Sequence, residues 1–234
     1  AHNVVEFRSY IHACTSACGG QAGNRLPRQH SVEVAVKNAV AIGAHQSYPD
    51  AASFVRRSMN LSEVQLYKTW VAQIKMLKSV FEAKGGRLHH VKPHGALYND
   101  ASDDFSVAKV VVAAVKAIGC EVKIYGQAHS ALAEVARSAK WPFVPEGFVD
   151  RRYLSRHRLV PRAHRDALIE GVSEQMQQAR SLTVDKGLAG NDGQGLTIEC
   201  ETLCLHGAHP DAVKTATDLI KLIQNLHPAT LSSC

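Results

Sequence analysis

The sequence predicts an α/β protein built on a mostly parallel sheet. Two observations carry that expectation. Short apolar runs of strand length alternate with longer segments of helical spacing along most of the chain, and the strand-like runs lead repeatedly into polar, chemically capable residues. At 234 residues the chain is long enough to bury a substantial core, and it is expected to form a single domain, 1–234. βαβα alternation implies a parallel sheet covered by helices, and by itself leaves both a barrel and a doubly wound sheet open.

The elements follow in order. Ser31 to Val40 has helical composition and leads into the apolar strand Ala41-Ile42-Gly43-Ala44. Ser62 with Gln65 makes a capping box, behind which Val64, Tyr67, Val71, Ile74, Leu77, Val80 and Phe81 recur at helical spacing until Gly85-Gly86. Leu88 to Val91 is the next strand, and Asp103 or Asp104 caps a Val- and Ala-rich helix that stops at Gly119. Glu121 to Tyr125 reads as a strand, Ala128 to Ala139 as a helix and Pro142 to Val144 as a short strand. Arg165 to Arg180 is expected to be helical, Asp185 to Gly195 a Gly-rich surface loop, and Thr197 to Leu205 a strand, interrupted or not. Pro210 suits the first turn of a last helix with Val213, Ala216, Leu219, Ile220 and Ile223 facing inward.

Composition narrows the function. The formal charge is +6, from 27 Lys+Arg against 21 Asp+Glu, spread along the chain and densest from Arg151 to Arg165. Without a concentrated basic patch interleaved with aromatics, nucleic-acid binding is not expected. No run of about 18 apolar residues predicts a membrane span, and no charged start leads into an apolar segment as in a signal peptide. The six cysteines include no Cys-x-x-Cys pair, and Cys200 with Cys204 would share a strand face, so reduced thiols in a cytoplasmic protein are expected.

The most informative stretch is His90-Val91-Lys92-Pro93-His94-Gly95-Ala96-Leu97-Tyr98-Asn99. A core strand gains nothing from a cation, an imidazole, a phenol and an amide gathered at one end. A site that holds an anion and moves protons does. The pattern recurs where Ala44 leads into His45, where Val144-Pro145 leads into Glu146 to Arg151, and where Leu205 leads into His206. In a parallel sheet such strand ends lie along one edge, where active sites are built. Lys92 suits a carboxylate or phosphate, Arg56 and Arg57 an anion, and Tyr98 and Asn99 a substrate amide. Glu146 and Asp150 suit acid–base work or ligation, with an Asp150–Arg151 ion pair as the structural alternative. His45, His94 and His206 are the candidate site imidazoles among thirteen histidines. A divalent metal is compatible with His plus carboxylate, but no His-Glu-x-x-His spacing supports it, and there is no P-loop.

Together these segments resemble the LamB/YcsF family, the A subunits of 5-oxoprolinase. The resemblance rests on Ala17-Cys18-Gly19 with Ala22-Gly23, Gly43-Ala44-His45 with Ser47-Tyr48-Pro49-Asp50, the Lys92 to Asn99 run, Glu146, Phe148, Asp150-Arg151, Leu159-Val160-Pro161-Arg162 and Cys204-Leu205-His206-Gly207. It implies an irregular β/α barrel of the glycoside hydrolase/deacetylase type. It also implies ATP-dependent opening of 5-oxoproline to glutamate with partner 5-oxoprolinase subunits. A five-membered lactam is little strained, so coupling to phosphate transfer helps drive its opening. On this reading Lys92, His94, Glu146 and Asp150 are catalytic, and His45, Arg56, Tyr98, Asn99, Arg151 and His206 bind substrate. The family's acidic opening strand has no counterpart here, and family imidazole and carboxylate positions are occupied by Gln21, Asn24 and Ala208. Those departures make a weakened or inactive scaffold relative the first alternative, and a metal-dependent amide hydrolase without ATP the second.

Overall fold

Strands β1 (Ala13–Ala17), β2 (Ala41–Gln46), β3 (Leu88–Pro93) and β4 (Lys123–Gly126) and the first half of β5 (Phe143–Phe148) run parallel, each hydrogen-bonded to the next. The computed structural model describes Phe7 and residues 10–17, 32–49, 57–119 and 121–226. The segment 18–24 with Gln21 and Asn24, the expected helix start at Ser31, Asp50 and Arg56 lie outside the described residues. The chain divides into two compact units, one spanning His12–Pro145 and the other Glu146–Cys234 together with His2–Ile11.

In the first unit the strand interiors are apolar: Ile42, Ala44, Val91 and Ile124 are buried, as parallel strands covered by helices require. Residues 32–37 are helical, followed by α1 (Glu63–Glu82), α2 (Ala96–Asp103), α3 (Phe105–Lys116) and α4 (Ala131–Ser138). The Ser62–Gln65 capping box is formed as expected, and Asp104 caps α3 by accepting from the Ser106 and Val107 amides. Ser130 caps α4 through the Ala133 amide. The buried seam of α1 is Leu66, Trp70, Ile74, Leu77 and Phe81. The expected seam starts on the wrong stripe: Val64 is 61% exposed and Tyr67, Val71 and Val80 are half-buried, because the helix turns Leu66 and Trp70 inward ahead of Ile74. Helix α2 stands where the sequence pattern predicts only a loop. It begins at Gly95, whose φ of 62° lets the chain turn from strand into helix within two residues of Pro93.

The second half of β5 pairs parallel with β10 (Thr202–Cys204), placing Glu146 opposite Thr202 and Phe148 opposite Cys204. Around this pair the second unit holds the hairpins β6 (Tyr153–Ser155) with β7 (Arg158–Leu159) and β8 (Leu188–Ala189) with β9 (Gly195–Leu196). The second hairpin lies where the sequence predicts a plain loop. Helix α5 (Val172–Arg180) runs into a π-helical turn, Ser181–Asp185, and α6 (Ala212–Leu226) closes the described chain. The expected helix from Arg165 begins only at Val172. Residues 167–169 are bonded in extended pairing to 150–152, and Gly171 sits at φ 87°. The expected strand 197–205 is ordered as a strand only over 202–204. Val149, Ala179, Leu219 and Leu222 form one core cluster and Phe7, Ala212 and Ala216 another. The buried face of α6 is Ala212, Thr215, Ala216, Leu219 and Leu222, with Val213, Ile220 and Ile223 half-buried beside it. Among the described residues no helix is long and apolar enough to cross a membrane.

Candidate functional site

The register of the first unit sets Ala17 beside His45 and His45 beside Lys92, so residues far apart in sequence become cross-strand neighbours. The His45 Nδ1 atom lies 3.0 Å from the Lys92 carbonyl oxygen. Its Nε2 atom lies 2.7 Å from His94 Nδ1, with the rings edge to face at 4.4 Å between centroids. The His94 amide donates to the Gln46 carbonyl at 2.7 Å, carrying the strand ladder one residue past Pro93 and fixing where the His94 ring starts. Lys92 is only 7% exposed, and its ammonium sits 5.7 Å from the centroid of the Tyr98 ring, a cation–π contact. Tyr98 is buried on α2 while its neighbour Asn99, about 100° further round the helix, is exposed. The structure thus gathers His45, Lys92, His94 and Tyr98 and leaves Asn99 outward.

Two features of this unit escape a reading of the sequence. Tyr48 donates to Asp100 Oδ2 at 2.7 Å and Ser58 to Oδ1 at 2.9 Å, tying the segment after β2 to α2. Burial and then the Asp100 hydrogen bond push the Tyr48 hydroxyl upward, so it stays protonated and serves as an anchor. The second is a register shift between β2 and β3: Ile42 faces Leu88 but Gly43 faces His90, leaving His89 as an extra residue. The shift brings the Nδ1 atoms of His89 and His90 to 3.2 Å, where simple alternation would separate their rings. His90 stacks on Tyr125 with centroids 4.1 Å apart. Burial first, then the charges of His89, Lys92 and Lys123, hold His90 down to about 3, so it is neutral at physiological pH. A Cβ on Gly43 would lie 2.1 Å from His90 Nε2, so glycine is required there by close approach.

In the second unit Asp150 and His206 form a dyad. The Asp150 carboxylate accepts the His206 backbone amide at 2.9 Å, and His206 Nδ1 lies 2.9 and 3.0 Å from its two oxygens. Burial works to raise the Asp150 value, but the hydrogen bonds and charge of His206 outweigh it and hold the carboxyl below its ordinary range. The loop carrying Asp150 is clamped by the Gln178 amide, which donates to the Phe148 carbonyl at 2.5 Å and the Arg151 carbonyl at 2.7 Å. The Tyr153 hydroxyl accepts the Phe148 amide at 2.7 Å. Arg151 makes no ion pair with Asp150. Its guanidinium donates to the Ala167 and Val160 carbonyls at 3.2 and 2.7 Å, which makes it an organiser of the segment between them. Glu146 is buried at 4% exposure inside β5 rather than beyond a strand end. Ala208 sits in the turn after β10 and brings no carboxylate.

Among the described residues no three His, Cys, Asp or Glu side chains converge as metal ligands, so these donor sets do not fit a divalent ion. The thiols offer no nucleophile: Cys14 is raised to about 11 by burial, and Cys200 is raised by the same cause.

A parallel α/β scaffold with a Lys-Pro-His strand end, an imidazole pair and a carboxylate–imidazole dyad defines the class: a protein equipped to bind anions and move protons. The particular family is settled by comparison. The chain belongs to the LamB/YcsF family, whose model matches residues 6–231. It is 36% identical over 204 residues to the 5-oxoprolinase A subunit of Bordetella pertussis, covering 87% of this chain and 81% of that one. It is 38% identical over 210 residues to the 5-oxoprolinase A subunit of Chloroflexus aggregans, covering 90% and 83%. The crystal structure of the lactam utilization protein from Thermus thermophilus superposes with a TM-score of 0.86 at 31% identity, covering 95% of this chain and 89% of that one. The α/β fold expected from the alternation and the resemblance is the fold of that protein.

Proposed function

We propose that this chain is the A subunit of an ATP-dependent 5-oxoprolinase, opening 5-oxoproline to L-glutamate in the cytoplasm together with partner subunits. Relatives that match over most of their length carry that name, and this chain keeps the Lys92-Pro93-His94 strand end with His94 bonded to His45. That geometry is the observation that carries the reading. Lactam opening needs a base to take a proton from water, a group to hold the substrate's negative charge, and return of a proton to the departing amine nitrogen. His94 supplies the base, and Lys92, buried against Tyr98, supplies the fixed positive charge. Asp150–His206 is a second base of the same kind. ATP hydrolysis in the assembled complex supplies the driving force that an unstrained ring lacks.

The test is glutamate formation from 5-oxoproline by the chain with its candidate partner subunits, with and without ATP. Turnover that requires ATP and falls on the order of 100-fold or more in His94→Ala supports the reading, as loss of a general base should. Turnover unchanged in both His94→Ala and Lys92→Ala overturns the assignment of the site. Absence of an ATP requirement overturns the coupling.

A further inference from the structure

The Lys92 carbonyl oxygen carries no proton, so the hydrogen in its 3.0 Å contact with His45 belongs to His45 Nδ1. A neutral His45 then bears its lone pair on Nε2. The 2.7 Å contact between that atom and His94 Nδ1 needs one hydrogen, and His94 must bring it. We propose that His45 is a positioning residue that locks His94 as the Nδ1–H tautomer, so that His94 presents the lone pair of its Nε2 as the base.

Kinetically this rests on the ring-opening reading above, and it assigns His45 a role different from substrate contact. In the step it serves, His94 Nε2 takes a proton from water as the water oxygen bonds to the lactam carbonyl carbon. The carbon–nitrogen bond then breaks, and the imidazolium returns that proton to the departing amine nitrogen. Throughout, the His94 Nδ1–H stays on His45 Nε2, which holds the ring in one orientation. His45 cannot pass a proton onward, because its other hydrogen is directed at a carbonyl. It also cannot carry a hydrogen on Nε2 while His94 carries one on Nδ1, since the two would face each other across 2.7 Å. The pair is therefore a base for one proton, delivered and recovered through a single nitrogen. The Lys92 residue is used twice: its carbonyl sets the tautomer of His45, and its side chain brings the positive charge.

The deciding experiment is nitrogen-15 NMR of histidine-labelled protein, with the His94 signals assigned by their loss in His94→Gln. The wild type should show His94 protonated on Nδ1. His45→Ala should move it to the Nε2–H form. His45→Gln, whose side-chain oxygen falls near the place of Nε2 and accepts the same hydrogen, should retain the wild-type form. Wild-type His94 protonated on Nε2, or an unchanged tautomer in a folded His45→Ala, overturns the proposal. In the turnover assay His45→Ala should lower kcat by about tenfold to 100-fold with little change in KM, and His45→Gln should recover most of it. A rise in KM at unchanged kcat would make His45 a substrate ligand and also overturn the proposal. If the wild type opens no lactam, the functional reading fails while the NMR result still decides the lock.

Discussion

Each unit holds an imidazole just past a parallel strand by its Nδ1 atom, but the partners differ in charge. In the first unit the partner of His94 is another imidazole, itself bonded to a main-chain carbonyl. In the second the partner of His206 is a buried carboxylate that also accepts the His206 amide. The first arrangement brings no permanent charge to the ring. The second sets a full negative charge against it, in a loop clamped by Gln178 and Tyr153. The same geometric device thus gives one base whose proton is shared between neutral groups and one whose proton is held by an anion. The units also differ in their remaining polar side chains. The first buries a neutral imidazole, His90, and an amide, Gln127, that finds no hydrogen-bond partner among the described residues. The second uses its buried Gln175 on both sides, donating to the Ile169 carbonyl and accepting from Thr215.

The sharpest way to break this comparison acts on the first unit. Gly43→Ala should cost about 3 kcal/mol or more, because its methyl group would enter the His90 ring, and part of the loss should return in the double variant with His90→Ala. Denaturant unfolding of the three chains measures it, and a Gly43→Ala loss that His90→Ala leaves untouched would show that the crowding lies elsewhere. In the second unit Asp150→Asn should cost about 2–3 kcal/mol at neutral pH, the worth of hydrogen bonds to a buried charge. Since the folded carboxyl lies below its ordinary value of 3.8, the unfolded chain takes up this proton first as pH falls. The stability due to Asp150 is therefore present at higher pH and lost in acid below that value, so the gap between wild type and Asp150→Asn should close there.

His90 gives the first unit a different acid window. Its imidazole binds a proton near 6.5 when unfolded and only near 3 when folded, so the unfolded state holds more protons between those values. Stability should fall with falling pH across that window by up to about 1.4 kcal/mol per pH unit, and His90→Gln should remove this slope. Unfolding curves at stepped pH would separate the His90 loss from the later Asp150 loss. The smallest effect concerns the glutamines. Gln127→Met should be neutral or stabilising by about 1 kcal/mol, since it removes an unsatisfied amide, whereas Gln175→Met should destabilise by leaving the Ile169 carbonyl and Thr215 hydroxyl without their partner. Equal losses from both changes would show that Gln127 is satisfied in solution.

Much of the first site is legible in the sequence. Lys92, His94 and His45 stand where apolar runs end, and parallel strands bring such ends to one edge. The Asp150–His206 bond is not legible, although both residues stand out as candidates. It spans 56 positions and depends on β5 pairing with β10, where the expected strand is far longer than the one formed. Arg151 reads toward substrate or Asp150, but its donors go to carbonyls that no local pattern identifies. The expected α1 seam is mis-phased because that helix carries apolar residues on adjoining stripes, and only the surface it packs against selects one. Strand alternation separates His89 from His90, and the register shift at Gly43 overrides it.

The sequence by itself determined the alternation of strands and helices, the caps at Ser62, Asp104 and Ser130, and which strand ends carry chemistry. These depend on local hydrogen bonding and on the period of apolar residues, both written within a few positions. Only the tertiary structure decided which imidazole meets which partner, and hence which nitrogen is left to act. Such a choice needs contacts within about 3 Å between residues tens of positions apart, and strand register and loop anchoring alone bring them together.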